Sequence, residues 1–145
     1  MFRHILLPTD GSELATGAVD RGIALARTLG ARVTVLTIAE RFHVMTLNPT
    51  QLEESLATYR RHAGEHAAKV LGEAAEKAKA AGVEAETMTR AAESPWEEIV
   101  KVAADVDADL IAMASHGRRG LSALMLGSQT ARVVAQAKVA VLVLR

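Results

Sequence analysis

Phe2-Arg3-His4-Ile5-Leu6-Leu7-Pro8-Thr9-Asp10-Gly11-Ser12-Glu13-Leu14 is the stretch that decides the fold. An apolar run over residues 2–7 ends at a proline, and a Thr-Asp-Gly-Ser turn leads straight into helical spacing. Leu14, Ala18, Leu25 and Leu29 recur on one face, with Val19, Ile23 and Ala26 widening the stripe, which is the signature of an amphipathic helix. Gly30 stands where such a helix stops. A short strand emptying through a turn into a helix is the building unit of a parallel α/β sheet.

The unit recurs along the chain. Val33, Val35, Leu36 and Ile38 make a second strand, β-branched and buried on both faces. Periodicity dissolves over residues 40–48, and the segment 40–49 is the one candidate for disorder. Thr50 with Glu53 three residues on reads as a capping box. The helix behind it carries Leu52, Leu56, Tyr59, Ala63, Ala67, Val70, Ala74 and Ala78 and stops at Gly82. Residues 83–89 alternate, are less apolar, and predict a third strand nearer a sheet edge. Ser94-Pro95-Trp96-Glu97 is a helix start with cap, proline and reciprocal acid, and that helix runs to about Val106. Residues 109–114 form a fourth strand, residues 128–137 a helix, and Val139-Ala140-Val141-Leu142-Val143-Leu144 a fifth strand. Regular alternation implies right-handed crossovers and a five-stranded parallel sheet with helices on both faces. No repeat or linker interrupts it, so one domain over residues 1–145 is expected.

Bulk composition narrows the function classes. Half of the 145 residues are apolar, aromatics make up 3%, and 17 basic residues balance 17 acidic ones. A neutral chain does not offer a broad electrostatic surface to nucleic acid or anionic membrane. Without cysteine there is no disulfide framework, thiol nucleophile or Cys-ligated zinc. No apolar run approaches the ~20 residues of a membrane span, and residues 1–7 are too short and wrongly flanked for a signal peptide. A cytoplasmic location is expected, with neither nucleic acid nor membrane as partner.

In an open parallel sheet, ligands bind outside the carboxyl ends of the strands. Two ends stand out: Pro8-Thr9-Asp10-Gly11-Ser12, and Ala114-Ser115-His116-Gly117-Arg118-Arg119-Gly120, with Gly127-Ser128 opening the last helix. Lacking Cβ atoms, Gly117 and Gly127 can bring backbone N–H groups close to phosphate oxygens. The helix N-terminus at Ser128 adds unpaired amides and a positive dipole end. Ser128 and Thr130 carry hydroxyls, and Arg118 and Arg119 cationic forks. Taken alone, these glycines can equally be turn and capping residues, with Ser128 an ordinary cap.

The segment resembles the signature of the universal stress protein family: glycine, two residues, glycine, nine residues, glycine, then serine or threonine. Gly117 and Gly127-Ser128 match in register, and Ala114 stands where the family has its first glycine. Ile5-Leu6-Leu7-Pro8-Thr9-Asp10-Gly11-Ser12, Ala108-Asp109-Leu110-Ile111, Leu124-Met125-Leu126 and Val141-Leu142-Val143-Leu144 are similar too. The resemblance implies a Rossmann-like fold of the adenine nucleotide alpha hydrolase type, with strand order 3-2-1-4-5. It implies ATP, or else ADP or AMP, as ligand, with any Mg2+ carried by the nucleotide. Pro8, Thr9 and Asp10 would line base and ribose, with Asp10 an acceptor for ribose or metal-bound water. Ile38 would offer backbone hydrogen bonds and an apolar wall to adenine, with Met113 below. Ala114, His116, Gly117, Arg118, Gly127, Ser128, Gln129 and Thr130 would surround the triphosphate. A homodimer through the last strand is implied as well. Should Ala114 need positive φ, it would cost on the order of 1 kcal/mol; otherwise only crowding matters.

Single residues have plainer readings. Asp10 could cap the first helix with Glu13 as partner. His62 and His66 sit one turn apart, but Arg60, Arg61 and Glu65 beside them indicate a solvated face, not a metal clasp. His116 lacks a nucleophile with an orienting third group, and no P-loop or Gly-x-Gly-x-x-Gly motif is present. The expected function is nucleotide binding in a regulatory or stress-response role, with slow or no hydrolysis and no catalytic residue assigned. The rivals are a nucleotide-independent dimeric interaction protein and a slow ATPase or adenylyl-transfer enzyme.

Overall fold

The first helix shows how sequence signals became structure. Ser12 adopts an extended cap conformation and its hydroxyl accepts the Ala15 N–H at 3.3 Å, while Gly30, at φ 65°, closes the helix onto the Ala26 and Arg27 carbonyls. The computed structural model describes residues 1–41, 48–117 and 125–145; the segment 42–47 and residues 118–124, Arg118 and Arg119 among them, lie outside these. Elements follow in the order β1 (His4–Pro8), α1 (Glu13–Leu29), β2 (Arg32–Glu40), α2 (Pro49–Ala80), β3 (Ala85–Ala92), α3 (Pro95–Asp105), β4 (Leu110–Ala114), α4 (Ser128–Gln136) and β5 (Ala140–Leu144). The strands pair in parallel in the order β3-β2-β1-β4-β5, as the sequence led us to expect.

Each face of the sheet has its own core, because successive side chains of a strand point to opposite sides. Ile5, Leu7, Val33 and Val35 pack with Val19, Ile23 and Ala26 of α1 and Leu71, Ala74 and Ala78 of α2. Leu6, Leu36, Ile111 and Met113 pack with Ile99, Val102 and Ala103 of α3 and Val133 of α4. The helices therefore change sides between β1 and β4, which makes that junction the switch point of the sheet. At the opposite, amino-terminal end, the Asp109 carboxylate accepts the N–H groups of Arg3 and His4 at 2.9 to 3.1 Å. Buried His4 is hydrogen-bonded through Nε2 to Thr34 Oγ1 at 2.8 Å.

Two helix starts differ from expectation. The Thr50–Glu53 box does not begin α2. Asn48 does, its side-chain oxygen accepting N–H from Thr50 at 3.1 Å and Gln51 at 3.4 Å, with Pro49 as the first helical residue. A proline there has no N–H to satisfy, so the preceding residue takes the cap. At α3, Ser94 has the cap position without a side-chain cap bond. A partner distant in sequence replaces it, as described below. The strand predicted over residues 83–89 runs instead over Ala85–Ala92, at the sheet edge. The buried residues of α2 all lie from Ala67 onward, so its N-terminal half projects past the sheet, over the carboxyl ends of the strands. Among the described residues no helix is long and apolar enough to cross a membrane.

Candidate functional site

Strand lengths open the site. β1 stops pairing at Pro8 opposite Leu36, whereas β2 continues to Glu40. The Thr9 N–H reaches the Leu36 carbonyl at 2.8 Å, so even-numbered residues of β2 present their backbone groups toward β1. Ile38, two residues on, points its N–H and C=O to where β1 has already ended. A ligand with a donor–acceptor edge can complete that ladder.

The β1–α1 turn packs against α2 beside this gap. Gly11 adopts φ 76°, and a Cβ there would meet Val70 Cγ2 at 2.6 Å and His66 Nε2 at 2.8 Å. Asp10 does not cap α1, since Ser12 holds that position; its Oδ1 instead accepts the Ser12 N–H at 3.0 Å. Its carbonyl accepts from His66 Nε2 at 3.1 Å. The carboxylate lies directly against the α-carbon of Gly117, where any Cβ would collide with Oδ2. Glycine at 117 is thus what lets β4 and the Asp10 side chain share one edge of the cleft.

Ala114 raises no conformational difficulty. It is a buried residue of β4, absent from the positive-φ positions, and packs among Ala15, Ala18, Leu14 and Leu144. Its methyl group fills a small-residue cluster against α1 without left-handed strain. The Ala114 carbonyl accepts the hydroxyl of Thr130, 2% exposed, at 3.0 Å. Thr130 is therefore a latch between β4 and α4, while Ser128 keeps an exposed hydroxyl.

Gly127 serves the site differently from the sequence argument. Its N–H is already bonded to the Ser115 carbonyl at 2.7 Å, and a Cβ would come within 2.9 Å of His116 Cβ and 3.0 Å of His116 Cα. Its bareness lets the end of β4 lie flush against the start of α4. The first intrahelical bond, from Ala131 N–H to the Gly127 carbonyl, leaves the amides of Ser128, Gln129 and Thr130 without helix partners. Those three amides, not that of Gly127, form the anion-attracting pole. The Gln129 side chain turns the other way. Its Oε1 accepts the Trp96 N–H at 3.0 Å, supplying the cap of α3 that Ser94 does not.

Two adjoining cavities result. A slot of about 160 Å³ lies on the α3 side, walled by Pro8, Leu36, Ile38, Pro95, Ile99 and Met113. A larger cleft of about 720 Å³ opens on the α2 side. Thr9, Asp10, His116, Gly117, Gln129 and Thr130 border both. The structure therefore gathers every candidate that falls on described residues; Arg118 lies outside them. His116 is half-buried, with Nδ1 3.1 Å from Ser115 Oγ. The wall that sequence reasoning missed belongs to α2, where Thr58, Tyr59, His62, Ala63 and His66 face the cleft. The i, i+3, i+4 spacing of Tyr59, His62, Ala63 and His66 was the available signal, obscured by flanking charges. Among the described residues no group of three or more His, Cys, Asp or Glu is placed to hold a metal ion.

An open parallel sheet with an apolar slot and a helix-amide pole at its switch point defines an α/β protein with its cleft at the carboxyl ends of the strands. A model described as the universal stress protein family matches residues 1–145. Universal stress protein YxiE of Bacillus subtilis is 32% identical over 149 residues, covering 100% of both chains. Among solved structures, MJ0577 of Methanocaldococcus jannaschii superposes with a TM-score of 0.83 at 28% identity, covering 99% of this chain and 96% of that one. A universal stress protein in complex with cAMP gives 0.73 at 27% identity, covering 99% and 97%. The chain belongs to the universal stress protein family.

Proposed function

We propose that this universal stress protein binds an adenine nucleotide, ATP foremost, with the base in the Pro8–Met113 slot and the phosphate tail starting at the amides of Ser128, Gln129 and Thr130. The observation that carries the reading is the join between an apolar slot with an open backbone edge at Ile38 and an anion pole at α4, with Asp10 between them. A flat heteroaromatic base, a sugar bearing hydroxyls and an anionic tail require that sequence of surfaces. The relative solved with cAMP supports an adenine nucleotide as the ligand class. Any divalent ion would arrive on the phosphates.

The role that follows is regulatory, in a cytoplasmic stress response, with slow or no hydrolysis. No nucleophile with an orienting base is assembled among the described residues lining the cleft. Strand β5 is a sheet edge carrying Leu142 at 37% exposure, and Val134 of α4 is 47% exposed. A second copy pairing along β5 would cover that apolar edge and form a homodimer. Calorimetry with ATP, together with identification of any small molecule released on denaturation, tests the ligand. No heat at millimolar ATP and no released nucleotide would overturn the reading. Sedimentation at micromolar protein tests the dimer.

A further inference from the structure

The slot and the α4 amides account for a base and its first phosphate, but they leave the α2 side of the 720 Å³ cleft without an assigned occupant. That wall is held firmly. Tyr59 Oη donates to the Glu40 carbonyl at 2.8 Å, and His66 Nε2 donates to the Asp10 carbonyl at 3.1 Å. His62 lies three residues after the first pin and four before the second, hence on the same helix face. It is exposed and lines the same cleft as Ser128. It makes no hydrogen bond or ion pair among the described residues. None of the described residues lining the slot or the cleft is lysine or arginine, so imidazoles are the only cation-forming groups among them.

Resting on the nucleotide reading above, we propose that His62 is the α2-side contact for the distal phosphates. It would make the site favour a nucleoside di- or triphosphate over the monophosphate. Among the described residues, the open space next to the α4 pole is this cleft, where His62 offers an N–H donor on a pinned helix. The contact is confined to the tail, because the base slot lies on the other face of the sheet.

The test is calorimetric titration of AMP and ATP into the full chain and into His62→Ala and His62→Lys. The position is exposed, and an unchanged melting temperature shows that each variant is folded. His62→Ala is expected to weaken ATP about three- to tenfold, the worth of one solvent-accessible hydrogen bond, and to leave AMP within about twofold. His62→Lys, which keeps an N–H donor at that position, restores the preference for ATP. Equal losses for AMP and ATP, or no loss for either, overturn the assignment while leaving the nucleotide reading intact. A wild-type chain that binds neither nucleotide removes both.

Discussion

Replacing Gly127 by alanine is the sharpest test of how the site is built. The backbone there has φ −60° and ψ 150°, which any residue adopts, so the penalty is steric alone. The added carbon would stand 2.9 Å from His116 Cβ, 3.0 Å from His116 Cα and 3.2 Å from the Ser115 carbonyl oxygen. Carbon pairs settle at roughly 3.5–4.0 Å, so the end of β4 and the start of α4 must separate by about half an ångström or more. Two of the three atoms are backbone and the third is fixed to it, so no rotamer change relieves the clash. The separation strains the 2.7 Å bond from Gly127 N–H to Ser115. Overpacking of this kind costs roughly 1–3 kcal/mol, or a melting temperature lower by about 2–4 °C per kcal/mol in a chain this size. Because the amides of residues 128–130 move with the helix start, ATP affinity should fall about tenfold or more. Thermal melts and ATP titration read the two effects. A Gly127→Ala chain with wild-type melting and wild-type affinity would refute the close packing of β4 on α4.

Other outcomes follow from single contacts. Thr130→Val removes the hydroxyl donor from the buried Ala114 carbonyl and should destabilise by about 1–3 kcal/mol; a midpoint in urea equal to wild type would contradict the latch. Gly72→Ala, inside α2 with nothing within 4 Å of the added carbon, should stabilise by roughly 0.5–1 kcal/mol, and a lower melting temperature would mean the helix is not regular there. Burial, helped by Arg32, lowers the His4 pKa below its ordinary 6.5. Between the folded and unfolded values the unfolded chain binds the proton and the folded chain does not, so stability falls as pH drops below about 6.5. His4→Gln should flatten that slope in urea melts between pH 8 and 5, and an unchanged slope would assign it elsewhere. Burial pushes the Asp109 carboxyl up, but the N–H groups of Arg3 and His4 outweigh it and hold it below the usual 3.8. Its contribution is therefore present above that pH and lost in stronger acid; Asp109→Asn should be less stable than wild type at pH 7 and lose the difference at low pH.

Much of the candidate site was legible because its proposed chemistry depends on residue type at fixed spacing. A turn of Thr9, Asp10 and Gly11 after a buried strand, and Gly117 and Gly127-Ser128 around a helix start, point to an anion pole by the backbone they expose. What these glycines do was not legible. Gly117 accommodates the Asp10 carboxylate from 107 positions earlier in the chain, and Gly127 accommodates His116 while its own amide is used internally. Ala114, by pattern a source of strain or crowding, sits in a strand with alanines opposite. The α2 wall escaped notice because charges on neighbouring turns mask a face that meets the cleft only after the helix crosses the sheet.

By itself the chain's pattern determined the alternation of strands and helices, the parallel sheet and which strand ends border the cleft. Those follow from local periodicity and from which residues can turn, cap or be buried. Tertiary structure alone decided that β2 outruns β1 to bare Ile38, that Gln129 caps α3, and that Tyr59, His62 and His66 close the far side. Each depends on where one element ends relative to another, and relative position is set by packing between residues far apart in the chain.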